Sequence, residues 1–211
     1  MKLPLLIENI FYWNRKFHIH AGLFLLLFIL LFFLSGLFLN HNQWKVVSFW
    51  KERKESEIIS PVIIPLNPDT AALPKYFMKQ LKISGEIRNI KSTAASINFR
   101  VIKPGKIEDI QVDYKNGMSV RKELILNWWG KISNLHTFNG SDKLNPQVSP
   151  NWIITRLWRL TMDITALGLI LLCISSWIMW YRVRKSYPFG MIILISGISG
   201  TIFFVLLLRL F

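Results

Sequence analysis

The chain has little of what side-chain catalysis or covalent cross-linking needs. Its 211 residues include one cysteine, Cys173, which lies inside an apolar run. No disulfide can form within the chain, so cysteine usage says nothing about redox compartment. There are four histidines, His18, His20, His41 and His136, and no Cys/His cluster with metal-ligand spacing. The sequence also lacks a Gly-rich phosphate loop and a Gly-x-Ser-x-Gly elbow. These absences leave no catalytic residue and no metal site to nominate, and a non-enzymatic role is the expectation. Acidic residues are scarce: 12 Asp+Glu stand against 26 Lys+Arg, a formal charge of +14. In a soluble protein that excess would suggest nucleic acid. Here the cations are dispersed, and the apolar runs described next exclude that partner. In a membrane protein, cations set topology and touch anionic lipid instead.

Apolar residues are in excess, at 52% of the chain, with 14% aromatic. Three runs carry no charge: Ala21 to Leu39 (19 residues), Ile164 to Tyr181 (18) and Phe189 to Leu208 (20). A bilayer core about 30 Å thick needs ~20 apolar residues at a rise of 1.5 Å each. All three therefore read as transmembrane helices. The first run is longer than a signal-peptide core, and "SGLFLNHNQ" shows no small-x-small cleavage site, so it reads as an uncleaved anchor. Lys2, Arg15 and Lys16 precede the first run; Arg182, Arg184 and Lys185 lie in the turn between the second and third. Both flanks fall on one side of a three-span protein, and the positive-inside rule makes that side cytoplasmic. Arg156 and Arg159 are a smaller signal the other way. The expected layout is a cytoplasmic or interfacial segment at 1–20, spans at 21–39, 156–181 and 189–208, a cytoplasmic turn at 182–188, and an exported domain at 40–155. The leading segment reads either as an interfacial helix or as a plain extension of the first span.

Within 40–155, residues 40–57 read as a charged linker. "IISPVIIPLNP" holds three prolines, which makes it an extended edge segment at best. A helix capped by Asp69 or Thr70 is expected to run to about Leu81, with Pro74 in its first turn. Beyond Ser84-Gly85 the pattern alternates every second residue. "EIRNIKS", "ASINFRVIKPG", "KIEDIQVDYKNG" and "MSVRKELIL" predict four strands, with hairpin turns at Pro104-Gly105 and Asn116-Gly117. The fold class is a membrane protein: three transmembrane α-helices plus a small α+β domain, a helix covering an antiparallel meander.

Several stretches resemble the PepSY-associated transmembrane family. "RKFHIHAGLFLLLFILLFFLSGLFLNH" resembles that family's first helix, through Arg15, His18, Gly22 and Ser35-Gly36. "LHTFNG" resembles its Leu-His-Thr motif, and the helix plus meander resembles a PepSY-like domain. "RLWRLTMDITALGLILLCISSWIMWYRVRK" resembles its second long helix, through Asp163, Trp177, Trp180 and Tyr181. The chain departs in length, with three helices where relatives have four or more. It also has Thr165 and Ala166 where a histidine often follows the acid. The resemblance implies a regulatory or binding module of the bacterial inner membrane, an accessory subunit with a protein partner, linked to iron or siderophore uptake. The alternative it implies is a transmembrane electron carrier holding haem b.

A six-coordinate haem b needs two imidazoles facing each other. His18 and His20 stand two apart on one helix and point to different faces. Only His41 with His136 supplies an outer-side pair, so these are the haem candidates. His18 is otherwise expected to bond helix ends at the interface, and His136 to sit in the loop returning the domain to the membrane. Asp163, an acid at a span edge, is a functional flag by position. A pair with Arg159, four residues earlier on the same helix face, is its structural reading. Ser196 and Gly200 form a small-xxx-small pair suited to packing among the chain's own helices.

Overall fold

The computed structural model describes residues 3–41, 43–48, 50, 52–65, 72–140, 150–182 and 187–210. Asp69, Thr70 and most of the 182–188 turn lie outside them. The chain divides into two compact units, residues 1–28 with 164–211, and residues 29–163.

Among the described residues, three helices are long and apolar enough to cross a membrane. The first, α1 (Leu3–Asn40), is continuous over 38 residues. The leading segment continues the helix of the first span without a break, Pro4 standing in its first turn where it removes no intrahelical bond. The last two are α4 (Ile153–Arg182) and α5 (Tyr187–Leu210).

In the unit of residues 1–28 and 164–211, α1 and α4 run antiparallel. A Cβ added at Gly168 would collide with the Leu25 side chain, so the missing side chain is what lets the helices approach. Nearer the N-terminus, Asn14 Nδ2 donates to the Ser175 carbonyl (3.0 Å) and Ser175 Oγ donates to the Asn14 carbonyl (3.4 Å). Arg182 lies over the Phe11 ring at 4.9 Å. Gly190 of α5 lies against the Trp180 ring. A Cβ at Gly197 or Gly200 would meet nothing within 4 Å. Gly200 therefore does not pack among the described helices of this chain, contrary to the expectation for the Ser196–Gly200 pair.

The unit of residues 29–163 is built on a five-stranded antiparallel sheet of order β1-β5-β4-β3-β2. The predicted meander is present as β2 (Glu86–Ser92), β3 (Ser96–Lys103), β4 (Lys106–Asp113) and β5 (Met118–Ile125). Gly105 (φ +72°) and Gly117 (φ +61°) close its turns in the left-handed region. The fifth strand, β1 (Lys54–Pro61), joins beside β5. It takes up the end of the expected linker and the start of the proline segment. Its alternation is hidden because an edge strand is exposed along nearly its whole length.

Helix α2 (Leu73–Gln80) carries the chain from β1 at one edge to β2 at the other. It begins later than the sequence suggests, with Pro74 in its first turn as expected. The route lays α2 across one face, where Leu73, Phe77 and Met78 pack on Ile87, Ile97, Phe99, Val101, Ile110 and Val112. Phe77 is fully buried. Burying a side chain of this size contributes about 1.5–3 kcal/mol.

A further helix, α3 (Trp128–Thr137), was not expected. Asn127 caps it, accepting from the Gly130 N–H (3.1 Å) while its own amide reaches Glu52 (2.7 Å). "LHT" therefore ends a helix instead of forming a loop. The sequence cue was there: Asn at a cap followed by two tryptophans.

Candidate functional site: the open face of the sheet

Alternation gives the sheet two unlike faces. The face away from α2 carries a row of charge that crosses every strand. Glu57 of β1 stands opposite Lys122 of β5, Lys122 opposite Asp109 of β4, Asp109 opposite Arg100 of β3, and Arg100 opposite Arg88 of β2. The strongest link is bidentate: Arg100 donates from Nε to Asp109 Oδ1 (2.6 Å) and from a terminal nitrogen to Oδ2 (2.9 Å). That bond and charge raise the Arg100 guanidinium above its ordinary value, although burial acts the other way. Lys122 approaches Glu57 at 3.8 Å. Lys122, Asp109 and Arg100 remain open to solvent, with side chains 70%, 51% and 39% exposed.

Two open concavities, of about 500 and 580 Å³, lie along this row, and Arg100, Asp109 and Lys122 line both. Asn98 and Gln111, a facing pair, extend the first, and Leu124 and Ile107, another facing pair, extend the second. The surface thus offers alternating charge, amides that donate and accept, and a small aliphatic patch. That mixture suits a protein surface better than an enclosed small molecule, which needs a deep apolar pocket.

One edge of this face is fastened to the start of α4. Glu86 accepts from the Asn151 N–H (2.8 Å) and the Trp152 N–H (3.1 Å). The Asn151 side chain in turn accepts from the Ile87 N–H (3.0 Å) and donates to the Ile87 carbonyl (2.9 Å). Glu86 is almost wholly buried, and its neighbour Arg88 comes to 3.5 Å. A buried carboxylate is tolerable only with such partners.

The covered face holds a second ionic cluster. Glu108 and Glu123 stand directly opposite each other on β4 and β5, a repulsive placement. Lys106 lies 3.0 Å from Glu108 and 3.3 Å from Glu123, and Arg121 lies 3.0 Å from Glu123. Burial alone would push the Glu123 carboxyl up. The hydrogen bond and charge of Lys106, with the charge of Arg121, together outweigh it and hold the carboxyl below its ordinary value.

The residues singled out from sequence do not converge. His41 follows α1; its Nδ1 is bonded to the Leu37 carbonyl (3.1 Å) and its ring packs on Trp44 at 4.2 Å. His136 lies at the end of α3, but its side chain is outside the described residues. A haem clamp needs two facing imidazoles, and of the His41–His136 pair only the His41 ring lies among the described residues. Among the described residues no group of three or more His, Cys, Asp or Glu is gathered as a metal site. Arg159 and Asp163 are both exposed, and no ion pair joins them among the described residues.

His20 bonds the Lys16 carbonyl through Nδ1 (2.7 Å). His18 lies one turn beyond Asn14, between the Asn14–Ser175 and Leu25–Gly168 contacts. Its Nδ1 is buried and meets no hydrogen-bond partner among the described residues. His18 thus falls well along the α1–α4 pair rather than at a helix end. The cross-strand row and the Glu86–Asn151 clamp were not singled out from sequence. Register creates both, and register is invisible until strands are paired. No protein-family model, no curated protein and no solved structure matches this chain.

Proposed function

We propose that the chain is a membrane-anchored, non-enzymatic binding module whose sheet domain presents its open face to a protein partner. The observation that carries this reading is the solvent-open row Lys122, Asp109 and Arg100, with concavities on both sides. A sheet face left uncovered by its own helix, with charges fixed in register, is a surface built for recognition and not for packing. The resemblance to PepSY-associated proteins supports the same class of role. By that resemblance the module is an accessory subunit of a bacterial inner-membrane complex, with its sheet domain periplasmic, its N-terminus cytoplasmic and a link to iron or siderophore uptake.

A photoreactive residue at Gln111, activated in the membranes of producing cells, tests the reading. The expected result is a discrete cross-linked adduct that disappears when Arg100→Glu and Lys122→Glu are introduced together. No adduct, or an adduct indifferent to the charge reversals, contradicts it.

A further inference from the structure

The two edges of the sheet are treated differently. On the β2 side the edge is closed. The ladder shifts register between Arg88 and Lys91, Asn89 adopts a left-handed φ of 51°, and the Asn151 amide occupies both main-chain groups of Ile87. Bulges and covering groups of this kind prevent strand addition.

On the β1 side nothing comparable is present among the described residues. Pro61 stands opposite Met118, so Val62 follows opposite Gly117, and the Val62 N–H donates to the Gly117 carbonyl at 2.9 Å. In an antiparallel ladder, main-chain groups alternate in direction from one residue to the next. With Val62 directed at β5, the main-chain groups of Lys54, Ser56, Ile58 and Ser60 also face β5. Those of Glu55, Glu57 and Ile59 face away from the sheet. Pro61 falls in the outward set, the one place where a missing N–H costs no ladder bond. Three consecutive outward residues therefore offer an N–H and a carbonyl each, and Pro61 ends the run. Glu55, Glu57 and Ile59 are all exposed, Ile59 at 61%.

We propose that β1 is a strand-addition site for an extended, basic segment of the partner protein. The occupant follows from the side chains. Residues directly opposite in an antiparallel pair share a face, so the incoming strand meets Ile59, then Glu57, then Glu55 on the open face. It should read apolar-x-basic-x-basic from its N-terminus. Arg53 (2.7 Å) and Lys122 (3.8 Å) already approach the two carboxylates. These are exposed, water-screened pairs, and each carboxylate keeps lone pairs for a second cation. A second copy of this chain is a poor occupant. The two-fold pairing that uses all three outward residues sets Glu57 against its own copy, and like charges directly opposite are destabilising.

This inference rests on the partner-binding reading and adds where a segment of that partner lies. The test uses the full chain in lipid nanodiscs and three fluorescent peptides: TVTKTKT, its charge-reversed form TVTETET, and TVTKTKT N-methylated at both lysines. The N-methylated form keeps the charge and loses the main-chain donors, so the comparison needs no altered protein. The expected result is that TVTKTKT binds roughly tenfold or more tighter than its N-methylated form, because the main-chain ladder supplies the affinity in strand addition. Glu57→Pro in the protein should weaken TVTKTKT similarly, and a Glu55→Lys/Glu57→Lys chain should prefer TVTETET. Equal binding of the plain and N-methylated peptides overturns the proposal, as does no binding of TVTKTKT to the unaltered chain. If the Gln111 adduct forms while TVTKTKT does not bind, the binding-module reading stands and the edge site fails.

Discussion

Single residues set the stability of the sheet domain through what they would leave stranded. Among the described residues Phe77 is the largest fully buried side chain, so Phe77→Ala is expected to cost about 3–5 kcal/mol through lost transfer energy and the cavity left behind. Amide hydrogen exchange of the strands in the full chain reads that loss. Glu86 is a different case. Glu86→Ala strands two amides at the head of α4 and a nearly buried arginine, and removing one partner of a buried charged group costs about 3–5 kcal/mol. Exchange at Asn151 and Trp152 should rise most. Glu123 gives a pH dependence. Its folded carboxyl sits below the unfolded value of about 4.3, so its contribution is present above that value and is lost as pH falls through the folded one. Glu123→Gln should flatten the acid limb of an unfolding curve and leave the neutral limb almost unchanged in slope. His18 and Asp163 were legible as unusual residues in lipid, but what each side chain touches depends on helix rotation. That rotation buries the His18 Nδ1 and leaves Asp163 without the Arg159 partner its i,i+4 spacing suggested.

Elements show why some of the fold could be read and some could not. The hairpins β3–β4 and β4–β5 were legible because two-residue alternation and a glycine turn coincide at Gly105 and again at Gly117. The edge strand β1 was not. Its residues are polar or exposed on both sides, and only pairing with β5 makes it a strand. Helix α3 was missed because tryptophan and serine dilute its period, although Asn127 marked its start. The charge row was present residue by residue as Arg100, Asp109 and Lys122, but it became a site only when three strands aligned them. For the membrane helices, the Leu25–Gly168 approach gives a test. Gly168→Val puts a branched side chain where Leu25 already lies, and it should loosen the α1–α4 pair. A disulfide between Asn14→Cys and Ser175→Cys, in a Cys173→Ser background, should form readily in the otherwise unaltered chain and slowly with Gly168→Val. Equal rates would mean that the close approach at Gly168 does not hold the pair. Asn14→Leu is expected to cost less than the core changes, about 0.6 kcal/mol, the average for hydrogen bonds between membrane helices.

At the scale of the whole molecule, the described residues hold three helices long and apolar enough to cross a membrane, and one antiparallel sheet domain lies in sequence between the first two. We propose from the positive-inside rule that the cations ahead of the first apolar run and those after the second lie in the cytoplasm, and the proposed exported recognition surface follows from that placement. The most direct test is labelling with a membrane-impermeant maleimide on intact spheroplasts. In a Cys173→Ser background, Lys115→Cys, in the β4–β5 turn, should label at once, and Arg182→Cys, at the end of α4, only after the membrane is breached. Labelling of Arg182→Cys in intact cells with Lys115→Cys protected would contradict the account at its centre.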